Sequence, residues 1–278
     1  MNFLTANILC AMITKINLTD LKSQIDESDG LHGPGVFVAY RYFKFVTSLA
    51  YNDPSKTRQE NQFCLGSMIT SKHILTTASC LDSKDLNRIV AYSGSRDLNL
   101  AYPYGIQSWI RYDPNQDGSD NQILNLEHND IAIATVTGEV DTEFVKKRQF
   151  RWSWMDNLLS QHGIIVGWGH DDKQDTAVYK TKMDVKFLDS ETCKRVTMWR
   201  SIENGRYFCT SGGRANALIS SDYGGPLLMN SEKHSIIGLT IRRLTPSETG
   251  YNLDINIHVN VSNYRDFLQP YQLKNLDL

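Results

Sequence analysis

The residues with chemistry to offer gather in Ser220-Ser221-Asp222-Tyr223-Gly224-Gly225-Pro226-Leu227, where two hydroxyls, a carboxylate and a phenol precede a glycine pair. Two other polar runs accompany it, Thr76-Thr77-Ala78-Ser79-Cys80 and Asn129-Asp130-Ile131-Ala132. A hydroxyl attacks a carbonyl carbon only when an adjacent base activates it. Ser79 is not such a base, because its hydroxyl is not basic near neutral pH. The phenol of Tyr223 titrates at about 10 and is attached to a rigid ring. Ser220 or Ser221 supplies a hydroxyl of the right type but still needs a base. His128, two residues before Asp130, falls on a loop rim.

The five cysteines (Cys10, Cys64, Cys80, Cys193 and Cys209) form no Cys-x-x-Cys pair. A zinc site or a thioredoxin-type redox pair is therefore not indicated, and no metal or cofactor is expected. Residues 3–13 (FLTANILCAMI) have the length of a signal-peptide apolar core, although Thr5 and Asn7 interrupt it and no Lys or Arg precedes it. Removal of such a leader with Cys10 leaves four cysteines, an even number suited to an oxidising compartment. Residues 1–34 are accordingly read as leader plus polar extension, and the chain as secreted. Asn17-Leu18-Thr19 and Asn260-Val261-Ser262 match the glycosylation acceptor pattern, which matters only in a secreted chain. A formal charge of −2 and a pI near 6.4 argue against a nucleic-acid partner, which calls for a basic footprint. No apolar run reaches the length of about eighteen residues that a membrane-spanning helix needs, so no membrane partner is expected.

The 278 residues suffice for one large all-β domain or two modest ones. β-Branched and aromatic runs predict strands over residues 35–51, 63–69, 73–77, 89–92, 106–112 and 131–136. A second series follows over 162–166, 177–188, 207–210, 226–229, 234–241 and 253–260. Short strands at this spacing, without helical periodicity, predict a sandwich or barrel. Residues 113–129 are a polar insert, and 146–154 combine Lys146-Lys147-Arg148 with Phe150, Trp152 and Trp154. The latter reads as a solvated linker with packed aromatics. Both segments are candidate partner surfaces, because loops on rigid scaffolds carry function.

Together these runs resemble the chymotrypsin-like serine proteases over residues 37–268. The 220–227 stretch is similar to Gly-Asp-Ser-Gly-Gly-Pro, with Ser221 at the leading glycine and Tyr223 at the nucleophile. Thr76 to Cys80 resembles Thr-Ala-Ala-His-Cys with Ser79 at the histidine, and residues 129–132 match Asn-Asp-Ile-Ala with Asp130 retained. Residues 63–69 look like the Cys-x-Gly-Ser-Leu-Ile strand, and Gly167-Trp168-Gly169 like the family's Gly-Trp-Gly turn. The resemblance implies an all-β fold of two packed six-stranded antiparallel barrels with a short C-terminal helix. The first barrel would span about 35–140, a linker 141–158, the second barrel about 159–260 and the helix 261–270. It also implies disulfides Cys64–Cys80 and Cys193–Cys209.

The same resemblance implies lost chemistry. In that family a serine attacks, a histidine takes its proton and an aspartate orients the histidine. Here those positions hold Tyr223, Ser79 and Asp130, and Ser221 replaces the glycine whose N–H helps form the oxyanion hole. The acid of the specificity pocket corresponds to Ala217, Ile219 replaces a family cysteine, Arg242 stands at a tryptophan, and Arg243 and Asn256 stand at wall glycines. The activation stretch near Gly30-Leu31-His32-Gly33-Pro34-Gly35 lacks a preceding Lys or Arg, so Asp222 needs a donor other than a new chain terminus. Local disorder or rearrangement is expected around it. The chain also resembles the inactivated protease paralogues of scabies mites related to the group 3 mite allergens, which interfere with host complement. That likeness implies a secreted, inactive homologue that binds an extracellular protein partner. The alternative reading is a weak or unconventional serine-type endopeptidase.

Overall fold

A computed structural model describes residues 36–37, 43–113, 129–141, 150, 161–169, 179–197, 205–212, 218–231, 234–250 and 254–271. Six strands close the first barrel: β2 (Val46–Tyr51), β3 (Gln62–Met68), β4 (His73–Thr76), β5 (Ile89–Ser93), β6 (Tyr102–Arg111) and β7 (Ala132–Val136), in the order β2-β3-β4-β7-β6-β5. The second is built from β8 (His162–Gly167), β9 (Thr181–Phe187), β10 (Tyr207–Ser211), β11 (Pro226–Met229), β12 (Ile236–Leu244) and β13 (Ile255–Asn260). Their order is β9-β10-β13-β12-β11-β8, and the β8–β9 pairing closes the ring. All of these pairings are antiparallel. Closure removes the exposed strand edges that would otherwise template aggregation.

The core is continuous through both barrels, with Leu49, Leu65, Ile74 and Ile133 in the first and Val166, Leu228, Leu239 and Val259 in the second. Each of these side chains is essentially shielded from water, and burying one stabilises the fold by about 1.5–3 kcal/mol.

The strand predicted over 35–51 divides in two. Phe43 takes a left-handed turn at φ 57°, and β1 (Val36–Phe37) pairs with β9 of the second barrel. The first barrel thus begins at Val46 rather than near 35. Lys180, just before β9, fastens this crossing: its Nζ donates to the carbonyls of Phe43 (2.8 Å) and Val46 (2.9 Å) and stands 4.4 Å from the centre of the Trp168 ring. Complete burial pushes the Lys180 ammonium well below its ordinary range.

A helix not foreseen from the sequence spans Ser190–Thr197. Its first turn is capped by the Asp189 carboxylate, which accepts from Thr192 N at 2.8 Å. Cys193 and Thr197 are buried along it and Val196 packs against the core, a one-turn stripe too short to show as periodicity in the sequence. A disulfide anchors it. Cys193–Cys209 joins this helix to β10, and Cys64–Cys80 joins β3 to the short helix Ala78–Leu81, with Cα separations of 5.5 and 6.0 Å. Each pair closes an interval of sixteen residues, for which a chain-entropy account gives about 3 kcal/mol. Substituting both Cys193 and Cys209 by serine is expected to lower the urea unfolding free energy by about 2–4 kcal/mol, read as a lower midpoint in equilibrium denaturation.

The chain closes with helical turns Val261–Tyr264, Arg265–Leu268 and Gln269–Tyr271. Tyr112 at the end of β6 packs edge-on against Tyr264 (4.9 Å) and Phe267 (5.6 Å), which seats this segment on the first barrel. Most of the polar insert (114–128) and most of the aromatic–basic segment (146–149 and 151–154) lie outside the described residues. Phe150 between them forms a parallel bridge with Ile236.

Candidate functional site

The helix Ala78–Leu81 carries Ser79 at the rim of the first barrel. Asp130, immediately before β7, is buried and accepts from Ser79 N at 2.7 Å and from Ser79 Oγ at 2.8 Å. Ser79 Oγ also lies 3.2 Å from Thr77 Oγ1. Burial pushes the Asp130 carboxyl up, and the Ser79 N–H, the Ser79 hydroxyl and the Arg111 charge partly offset that shift. Asp130 therefore caps the first turn of this helix and fills a polar slot with Ser79. Among the described residues, no histidine is hydrogen-bonded to Ser79, Asp130, Ser220, Ser221 or Tyr223. His73 binds Thr70 Oγ1 at 2.7 Å and packs on Tyr271. His258 is enclosed in the second barrel between Thr210 Oγ1 (2.8 Å) and Thr240 Oγ1 (3.1 Å), and burial lowers its pKa to about 3. His128 lies outside the described residues.

The loop before β11 is a 3-10 turn over Ser220–Asp222. Asp222 N donates to Ile219 O at 3.0 Å, and Tyr223 N to Ser220 O at 3.2 Å. An oxyanion hole requires N–H groups aimed at the developing charge, whereas this turn spends the Tyr223 N–H on a carbonyl of its own. Ser221 adopts no positive φ, and its carbonyl accepts from Gln62 Nε2 at 3.2 Å.

Asp222 finds donors other than a chain terminus. The Asp222 carboxylate accepts from the N–H groups of Trp168 (3.2 Å), Gly169 (3.1 Å) and Ile219 (3.2 Å), so backbone donors satisfy its buried oxygens. Gly167 makes room for this approach, since a Cβ there would stand 2.5 Å from Asp222 Oδ1. Across the loop, Tyr223 O accepts from Leu65 N at 2.7 Å and Gly224 N donates to Thr240 O at 2.8 Å. The two barrels are stitched together beneath the site.

The Tyr223 ring packs on the cluster that includes Leu218, Leu227 and Ile237, and its hydroxyl accepts from Arg243 N at 3.2 Å. The Arg243 guanidinium turns inward: Nη1 donates to Leu218 O at 2.8 Å, and Nε lies 2.9 Å from Asp254 Oδ2. These two side chains are only 13% and 4% exposed.

One expectation for this region, that Arg242 belongs to the specificity pocket, needs correction. Arg242 is not in the slot: its side chain is 48% exposed and lies 3.6 Å from Glu248. A register shift between Thr240 and Arg242 sets Arg243, not Arg242, opposite Asn256, as a bulge does when it re-aims the residues that follow. Asn256 is buried but has no hydrogen-bond partner for its side chain among the described residues. The acid that meets Arg243 is Asp254, two residues earlier, which the sequence reading passed over. Ala217 lies outside the described residues.

The comparisons with known proteins agree with this architecture. The family model described as Trypsin matches residues 35–268. Phenoloxidase-activating factor 1 of Holotrichia diomphalia is 22% identical over 250 residues, covering 82% of this chain and 66% of that protein. A chymotrypsin of Phaedon cochleariae is 24% identical over 220 residues, covering 75% and 71% respectively. Among solved structures, the Vibrio cholerae VesB protease superposes with a TM-score of 0.63 at 20% identity, over 84% of this chain and 66% of that one. This chain thus spans slightly less than two thirds of the length of the first of these relatives. With two closed six-stranded barrels, two disulfides, the Asp222 loop and a family match over residues 35–268, the chain belongs to the trypsin-like serine protease family.

Proposed function

We propose that this chain is a catalytically inactive member of its family that acts by binding an extracellular protein. The observation that carries the reading is the contact set at Ser79. Where peptide hydrolysis of this kind needs an imidazole between a hydroxyl and a carboxylate, a serine hydroxyl meets Asp130 directly at 2.8 Å. The other half of the chemistry is tied up as well, because the Tyr223 hydroxyl accepts from Arg243 N and the Tyr223 N–H is held by Ser220 O. Loss of the nucleophile or the base in a protease triad lowers turnover by about 10⁶-fold, and the losses do not add.

Secretion fits a chain with two disulfides and no helix, among the described residues, long and apolar enough to cross a membrane. For the partner we propose a component of a host proteolytic cascade such as complement. The name of the relative phenoloxidase-activating factor 1 is in keeping with a role beside proteolytic activation.

The expected result is that an organophosphorus serine-protease probe leaves the purified chain unlabelled. Peptide turnover by the wild-type chain should equal that of Tyr223→Phe. Stoichiometric labelling, or turnover above the Tyr223→Phe control, would overturn the inactivity and favour an unconventional endopeptidase. Capture from extracellular fluid on immobilised chain should retain a saturable protein partner, and its absence would count against a binding role.

A further inference from the structure

We propose that Asn260 is an N-glycosylation acceptor only until the second barrel closes, so that a glycan on Asn260 and the native fold exclude one another. Asn260-Val261-Ser262 is the acceptor pattern, and the atom that takes the sugar is the side-chain amide nitrogen. Nδ2 would attack the anomeric carbon of a lipid-linked oligosaccharide. The bond from that carbon to the pyrophosphate oxygen breaks, a C–N bond forms, the lipid pyrophosphate departs and one amide proton is lost. The inference rests on the reading that the chain is secreted, because the secretory pathway is where acceptor and sugar donor meet.

In the folded chain every part of the acceptor is committed. Asn260 ends β13 and is only 6% exposed. Its Nδ2 donates to Gly205 O at 2.9 Å, and Asn263 Nδ2 donates to the same carbonyl at 2.6 Å. Its Oδ1 accepts from Ser262 N at 3.1 Å and from Ser262 Oγ at 2.7 Å, which caps the helical turn Val261–Tyr264. Val261, between them, is buried in the core. A saccharide is a bulky, hydrated group that belongs on a surface, and a carboxamide enclosed in this way leaves it no room. To present the three residues to a transferase, the fold would have to withdraw Val261 from the core.

The acceptor is closed by the strand that precedes it in space. In the β10–β13 pairing, Tyr207, Phe208 and Cys209 lie opposite Val259, His258 and Ile257, and Arg206 O accepts from Asn260 N at 2.8 Å. Cys209 is in turn bonded to Cys193. Until β10 docks, Asn260 lacks both the Gly205 and the Arg206 carbonyl, and the acceptor stands open. Disulfide formation and sugar transfer therefore compete for the same segment.

The test supplies purified oligosaccharyltransferase and lipid-linked oligosaccharide to the full chain, so its outcome does not depend on whether the chain's own N-terminus directs secretion. The disulfide-bonded chain is expected to stay unmodified at Asn260. Kept reduced, the same chain should accept a sugar there, read by mass spectrometry as an aspartate after enzymatic removal of the glycan. Ser262→Ala should abolish that acceptance. In eukaryotic cells, behind a heterologous leader, the Cys193→Ser, Cys209→Ser chain should carry the Asn260 glycan several-fold more often than the wild type. Wild-type molecules that resist limited proteolysis should carry none. A sugar on Asn260 of the folded, protease-resistant chain overturns the proposal, as does refusal by the reduced chain. Equal occupancy in the two chains made in cells counts against it in the same way. Retention of the chain inside cells when its own N-terminus replaces the leader would instead strike the reading of secretion, with the transferase result unaffected.

Discussion

Gly224→Ala is expected to remove about 2–5 kcal/mol of stability, summing overpacking in a filled interior and a left-handed backbone that a side chain disfavours. Gly224 sits at φ 83° in the crevice between the barrels, and a Cβ there would run into the carbonyl oxygen of Leu65, Thr76 Oγ1 and Cys80 Sγ. Two of those three atoms are already committed to each other, since Thr76 Oγ1 donates to Leu65 O at 2.7 Å, so the wall cannot give way without losing a buried hydrogen bond. Gly138 supplies the control. It has φ 78° and nothing within 4 Å of a built Cβ, so Gly138→Ala should show the backbone strain alone, about 1–2 kcal/mol. Urea denaturation of both variants separates the two contributions. Equal losses at the two positions would mean that the crevice beneath the site is not packed as described.

Acidification should destabilise the chain through His258, and the sign follows from the direction of its shift. Burial holds the ring neutral in the fold, with a pKa of about 3 against an ordinary 6.5. Below 6.5 the unfolded chain takes up a proton that the folded chain refuses. Stability is therefore intact above that pH and falls as the pH drops towards about 3. At 1.36 kcal/mol per pH unit, the full window would amount to about 4–5 kcal/mol. Asp130 acts in the opposite sense, because its raised carboxyl binds a proton in the fold before it does in the unfolded chain. His258→Gln isolates the histidine: it lowers stability at pH 7 but should flatten the slope of unfolding free energy between pH 6.5 and 4. An unchanged slope would locate the acid sensitivity elsewhere.

The fold was legible from sequence because its signals are local. Two cysteine intervals, a Gly-Trp-Gly turn and short β-branched runs each sit within a few residues, and their order implies the rest. What stayed hidden depends on register and tertiary contact. Arg242 and Arg243 read alike along the chain, and only the irregularity in β12 decides which one turns inward and which meets Glu248. Asp254 escaped notice because its partner lies on the neighbouring strand. Lys180 reads as a surface lysine, and nothing near it in sequence reveals that the Phe43 and Val46 carbonyls and the Trp168 ring enclose it. The Ser190–Thr197 helix offers only a one-turn apolar stripe of Cys193, Val196 and Thr197, too short for a reading by periodicity.

Because Val36 and Phe37 add to β9 before the chain turns at Phe43 and starts the other barrel, the two halves are threaded through one another rather than strung in series. A fragment beginning after the first barrel would carry Thr181 and Lys182 with their edge partners missing and Lys180 without its carbonyl acceptors. Each half cut there would lose these cross-barrel contacts.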